Sequence, residues 1–206
     1  MTLLPRSFYL QQDVVKIARD LLGKYLVTLF DGIITSGMIT ETEAYEGITD
    51  KASHAYGNRL TNRTEVMFRE GGIAYIYLCY GMHSLFNIVT HKKGIPHAVL
   101  IRGILPADGI ETMLSRVGKP KISATIGAGP GKVSKLLGIH YSVSGMDICH
   151  KPLTMKEPGI WVEDRGIRKN KLKILTTQRI GVGYASEDAL LPYRFLIGNL
   201  GTAGVK

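Results

Sequence analysis

The sequence predicts an α+β fold: one domain of mostly antiparallel, hairpin-rich sheet with flanking helices. Three observations carry that expectation. The apolar runs are short, strand-like and separated by tight-turn dipeptides such as Asp31-Gly32 and Tyr80-Gly81. Helical spacing appears only in brief stretches between them. The chain has 206 residues and shows no internal repeat or low-complexity linker, so residues 1–206 fit a single domain able to bury a core.

Taken in order, Asp13 to Leu22 places Val14, Ile17, Ala18, Leu21 and Leu22 on one helical face, and Gly23 supplies a stop. Tyr25 to Phe30 and Ile33 to Glu43 flank Asp31-Gly32, whose residues tolerate positive φ, so they predict a hairpin. In an extended chain Ile39, Glu41, Glu43 and Tyr45 share one face. Gly47 to Glu70 is polar and irregular. Ile73 to Tyr80 and Leu85 to Thr90 form a second hairpin with Tyr80-Gly81-Met82-His83 at its tip, and His97 to Ile104 is a further strand. Asp108 to Arg116 predicts a helix after Pro106, and the loop-like Gly118 to Gly131 ends in the glycine-rich Gly127 to Lys132 ahead of another helix through Leu137. Short strands at Ile160 to Val162, Lys173 to Leu175 and Tyr193 to Ile197 complete the chain.

The charge points to a polyanionic partner. Lys plus Arg total 26 against 17 acids, a net +9. Through His91 there are 8 basic and 9 acidic residues; from Lys92 onward there are 18 and 8. A field concentrated in one half steers a polyanion such as nucleic acid. Two cysteines without a Cys-x-x-Cys pair, and no signal-peptide pattern, predict a reduced cytosolic protein, and no window approaches a membrane span.

The chemistry concentrates between Glu41 and Asn87. Two carboxylates, His54, Asn87 and a cluster of tyrosines suit a flat heterocycle with proton chemistry beside it. Glu41 and Glu43 are equivalent on spacing alone, and either could be a general base. Tyr80 beside Gly81 places a bulky aromatic at a hairpin tip, as expected of a wedge entering a duplex from the minor groove. No metal is expected: Cys149-His150 are adjacent and His91 and His97 are six apart, neither a zinc spacing. The zinc deaminase signature is absent. Gly127 to Lys132 lacks the phosphate-loop register because Val133 follows Lys132.

Glu41-Thr42-Glu43-Ala44-Tyr45, Ser53-His54, Met67-Phe68, Tyr75-Ile76-Tyr77, Tyr80-Gly81-Met82 and Leu100-Ile101-Arg102 together resemble the alkyladenine (3-methylpurine) DNA glycosylase family. Gly129-Pro130-Gly131-Lys132 and Arg179 to Ala185 extend the likeness over nearly the whole chain. The resemblance implies a fold similar to the carboxy-terminal domain of methionyl-tRNA formyltransferase. It also implies a monofunctional enzyme that flips alkylated or deaminated purines from double-stranded DNA and hydrolyses the glycosidic bond, without cofactor, as a cytosolic, nucleoid-associated monomer. It implies Glu43 as general base with Arg102 orienting water or a phosphate. Tyr45, His54 and Tyr77 would stack on the base, Leu100 would pack beside them, and Asn87 would exclude guanine's amino group. Tyr80, Met82, Gly129 and Lys132 would meet DNA. Gly131 and His83 depart from the Ser and Tyr of mammalian members. A non-catalytic nucleic-acid-binding domain is the alternative the residues allow.

Overall fold

The chain opens with strand β1 (Thr2–Leu3) and the single helical turn α1 (Arg6–Tyr9). Neither is expected from the sequence, since elements of two and four residues are too short to show a period. The computed structural model describes residues 1–198. Helix α2 (Val14–Leu21) starts where Asp13 caps it, its carboxylate accepting the Lys16 N–H at 2.8 Å. Strands β2 (Tyr25–Phe30) and β3 (Ile33–Tyr45) then pair antiparallel across Asp31 and Gly32, with φ of 54° and 73°. That is the geometry of a two-residue hairpin turn.

Strands β4 (Ala74–Cys79) and β5 (His83–Thr90) make the second hairpin. Strand β6 (His97–Asp108) is longer than expected, and helix α3 (Ile110–Val117) begins only after Gly109. Asp108 therefore ends a strand and opens no helix. The tail of β6 stays paired with β3 at Gly37 and Ser36, and the Asp108 carboxylate is held by Ser36 and Arg165. Helix α4 (Pro130–Leu137), β7 (Gly159–Asp164), β8 (Ile174–Thr177) and β9 (Arg194–Ile197) follow.

All nine strands join one sheet, β1-β7-β2-β3-β6-β5-β4, with β9 on β3 and β8 on β9. Every ladder between strands is antiparallel. The described chain is thus a single α+β domain of mostly antiparallel sheet with a few helices. Strand β3 is the hub, bordered by β6 on one side and by β2, then β9, on the other.

The sheet has two differently used faces. Ala44, Ile76, Phe86, Ile88, Val99 and Ile101 turn into the main core, packed with α2 and α4. The alternate residues Tyr75, Val89 and Ala98 turn to the other face, where Ala55 and Met67 from the 47–70 loop cover them. A bulge near Glu41 corrects one expectation: Ile39 joins the main core, while Glu41 and Glu43 turn the other way toward Arg102. No helix of the described residues is long and apolar enough to cross a membrane.

Candidate active site

Register builds the site. Arg194 on β9, Glu43 on β3, Leu100 on β6, Asn87 on β5 and Tyr75 on β4 lie directly opposite one another, strand to strand. Directly paired residues share a face, so these five side chains form one rung across the sheet. Glu43 and Tyr75, three strands apart, are separated by about 14 Å of backbone.

At the Glu43 end the carboxylate is fully buried, at 0% exposure. Its Oε2 accepts the Tyr45 hydroxyl at 2.8 Å, and its Oε1 accepts the Ile180 backbone N–H at 2.8 Å. Arg102 Nε lies 3.4 Å from the same Oε1 and donates to Glu41 Oε1 at 3.0 Å. Arg194 Nε donates to that Glu41 oxygen at 2.6 Å. Two arginines thus face two carboxylates, and structure separates what spacing left equivalent: Glu41 is committed to both arginines, while Glu43 is buried behind the tyrosines. Burial pushes the Glu43 carboxyl above its ordinary value, against the opposing pull of Arg102, the Ile180 N–H and the Tyr45 hydroxyl.

In front of Glu43 lies a cavity of about 340 Å³, lined by Tyr45, His54, Tyr75, Tyr77, Asn87, Leu100 and Arg102 among others. This volume lies at the small end of the range for pockets that hold a compact organic ligand. His54 meets Tyr77 edge-on, with ring centres 4.6 Å apart, and hydrogen-bonds the Tyr75 hydroxyl through Nδ1 at 2.9 Å. Burial first, and Arg63 second, bring the His54 pKa down to about 4. Asn87 is buried and its amide donates to the Tyr75 and Leu85 carbonyls, each at 3.1 Å, which locks its orientation.

Tyr80 stands at the cavity mouth, 88% exposed. Tyr80 and Gly81 have φ of 51° and 67°, and the Met82 N–H closes the turn on the Cys79 carbonyl at 3.1 Å. A tyrosine in the left-handed region is costly, and here it brings no compensating burial. Met82 beside it is 74% exposed. Helix α4 approaches the same tip. Gly129 precedes it, its N–H on the Arg102 carbonyl at 2.8 Å, and Pro130 lines the cavity. Lys132 is exposed, bonding the Thr125 carbonyl at 3.3 Å. The two departures from the mammalian pattern meet here, since a Cβ on Gly131 would lie 3.2 Å from the His83 ring.

Several contributors have roles that the sequence does not reveal. The buried pair Arg179–Asp50 docks the segment carrying Ile180, with Arg179 also bonding the Ala44 and Asp188 carbonyls and lying over the Tyr45 ring. Arg63 sits over the Tyr77 ring, 4.8 Å from its centre. Part of the basic excess is spent elsewhere: Arg165 pairs with Glu163 and Asp108, and Lys169 with Asp20.

A buried carboxylate beside an arginine, set behind an aromatic cavity with an exposed tyrosine at its mouth, defines the class. The family model for methylpurine-DNA glycosylase matches residues 7–200, and the chain belongs to that family. It is 46% identical to a protein of Chlamydia felis named "Putative 3-methyladenine DNA glycosylase", over 95% of this chain and 96% of that one. Proteins carrying the same name from Chlamydia abortus, at 46% over 95% and 98%, and from Bacillus cereus, at 43% over 93% of each, are similarly alike.

Proposed function

We propose that this protein is a monofunctional DNA glycosylase of base excision repair. It takes 3-methyladenine, 7-methylguanine, hypoxanthine or ethenoadenine out of the duplex and hydrolyses the N-glycosidic bond with water activated by Glu43. The observation that carries this reading is the Glu43 carboxylate, fully buried between the Ile180 N–H, the Tyr45 hydroxyl and Arg102. A carboxylate whose proton affinity is raised by burial is suited to take a proton from water.

Flipping a damaged nucleotide costs a few kcal/mol. Tyr80 fills the vacated space in the stack, and Met82, Gly129 and Lys132 meet the strand around it. The base stacks among Tyr45, His54 and Tyr77 against Leu100, and Asn87 disfavours a guanine 2-amino group, a barrier that 7-methylguanine overcomes because its positive charge already weakens the glycosidic bond. The C1′–N9 bond breaks with its electron pair leaving on the purine, positive charge builds on the sugar, and the ionised Glu43 steadies it. The water oxygen then bonds to C1′ while its proton passes to Glu43, with Arg102 holding that water or an adjacent phosphate. Because no lysine lines the cavity among the described residues, an amine attack that would nick the strand has no support.

Glu43→Gln keeps the size of the side chain and removes the base. We expect it to bind damaged duplex as the parent does while single-turnover release falls on the order of a hundred- to ten-thousandfold. Glu41→Gln loosens Arg102 and falls much less. A dead Glu41 variant beside an active Glu43 variant would refute the assignment. A parent that binds lesions but frees no base would be the non-catalytic alternative.

A further inference from the structure

We propose that the Tyr75 hydroxyl is the hydrogen-bond donor offered to an acceptor atom of a flipped neutral purine, and that Arg63, acting through His54, aims it there. This inference rests on the glycosylase reading and deepens it, because it names the group that serves bases lacking a positive charge.

Arg63 Nη2 lies 3.2 Å from His54 Nε2. A guanidinium only donates, so Nε2 accepts. The imidazole is neutral at pH 7, with a pKa brought down to about 4, and a neutral ring carries a single N–H. That hydrogen is therefore on Nδ1, which donates to the Tyr75 oxygen at 2.9 Å. The Tyr75 oxygen is thus an acceptor in this chain, and its own O–H has no protein acceptor among the described residues. Burial raises the phenol's pKa, against Arg63, so it stays protonated.

Position completes the argument. Tyr75 is directly opposite Asn87 in the rung that leads through Leu100 to Glu43, and it lines the cavity. Several other groups there are already committed: the Tyr45 hydroxyl to Glu43, the Tyr184 hydroxyl to the Ala52 carbonyl at 3.1 Å, and the Asn87 amide to backbone carbonyls. The half-buried Tyr77 has no donor fixed behind it. Water activation and leaving-group stabilisation therefore fall at opposite ends of the rung, with the base between them. As the C1′–N9 bond breaks, a neutral purine gathers negative charge, which a fixed donor stabilises without full proton transfer. An N3- or N7-alkylated purine leaves with its positive charge neutralised and gains little from the same donor.

The test measures single-turnover release of hypoxanthine and of 7-methylguanine from otherwise identical duplexes. Tyr75→Phe should slow hypoxanthine release on the order of a hundredfold, the effect of deleting one preorganised donor, and slow 7-methylguanine release far less. Because Tyr75 is buried, Arg63→Met repeats the test from the exposed end: without the guanidinium, Tyr75 can turn its proton onto His54 instead. It should produce the same selective loss, smaller in size, and Arg63→Lys should restore hypoxanthine release by retaining a donor. Equal loss of both bases in Tyr75→Phe, or undiminished hypoxanthine release, overturns the inference. A parent that releases 7-methylguanine but no hypoxanthine overturns it while sparing the glycosylase reading; a parent that releases neither base overturns both.

Discussion

Asp50→Ala tests how the segment bearing Ile180 is held. The Asp50 carboxylate bonds both terminal nitrogens of Arg179 and accepts the Ala52 N–H at 2.9 Å and the Glu46 N–H at 3.3 Å. Both charged side chains are out of water, at 0% and 1% exposure. Truncating the acid leaves a guanidinium uncompensated in the interior, a loss of about 3 to 5 kcal/mol. For a domain of this size that corresponds to a fall in Tm of roughly 6 to 20 °C. Replacing both partners with apolar residues, Asp50→Leu with Arg179→Met, should recover much of the stability, because no charge is then stranded. Base release should not recover equally, since the Ile180 N–H adjacent to Arg179 would no longer be positioned on Glu43. Urea unfolding gives the stabilities and single-turnover release gives the activity. A cost under about 1 kcal/mol for Asp50→Ala, or a double variant as unstable as the single one, would refute the account.

Two further outcomes are expected. Tyr80→Gly relieves a left-handed tyrosine that is nearly all in solvent, so folding should become more favourable by up to about 1 kcal/mol while lesion flipping weakens; a loss of stability in urea would show Tyr80 to be packed. In single turnover, release should decline as pH drops through a value above the 4.5 of an ordinary glutamate, because Glu43 acts ionised and burial raises its pKa. His54, with a pKa of about 4, is already neutral there and contributes no limb, so a limb at or below 4.5 would count against Glu43 as the base.

How much was legible depended on whether the signal was local. The Asp31-Gly32 turn, the buried face of α2 and the shared side of Glu43 and Tyr45 follow from neighbouring residues, and each is present. The Thr40–Glu41 bulge is not legible in this way, because it depends on the register with β6, and it turned Ile39 to the opposite face. The Ile180 N–H carries no residue-type signal and reaches Glu43 from 137 positions away. Arg194 reaches Glu41 from 153 positions away. Charge counting does not show pairing, for a related reason. Arg165 and Lys169 lie in one basic run, yet Arg165 pairs with the distant Asp108 as well as the nearby Glu163, and Lys169 pairs with the distant Asp20.

The pocket and the core are specified by the same strands, and this explains how the unfavourable features are tolerated. Leu100, Asn87 and Tyr75 face the cavity, with Glu43 buried behind Tyr45 and Arg102 in the same rung; their chain neighbours Ala44, Ile101, Ile88 and Ile76 face the main core. A fully buried aliphatic side chain contributes about 1.5 to 3 kcal/mol, so a few of them outweigh a strained Tyr80, which costs on the order of 1 to 3 kcal/mol, together with a desolvated carboxylate. Slipping β5 or β6 by one residue would turn Ile88 or Ile101 into the cavity and Asn87 or Leu100 into the main core, losing site and core together. Register is therefore constrained from both faces of the sheet. The rung can hold a buried acid because moving it would require breaking the core behind it.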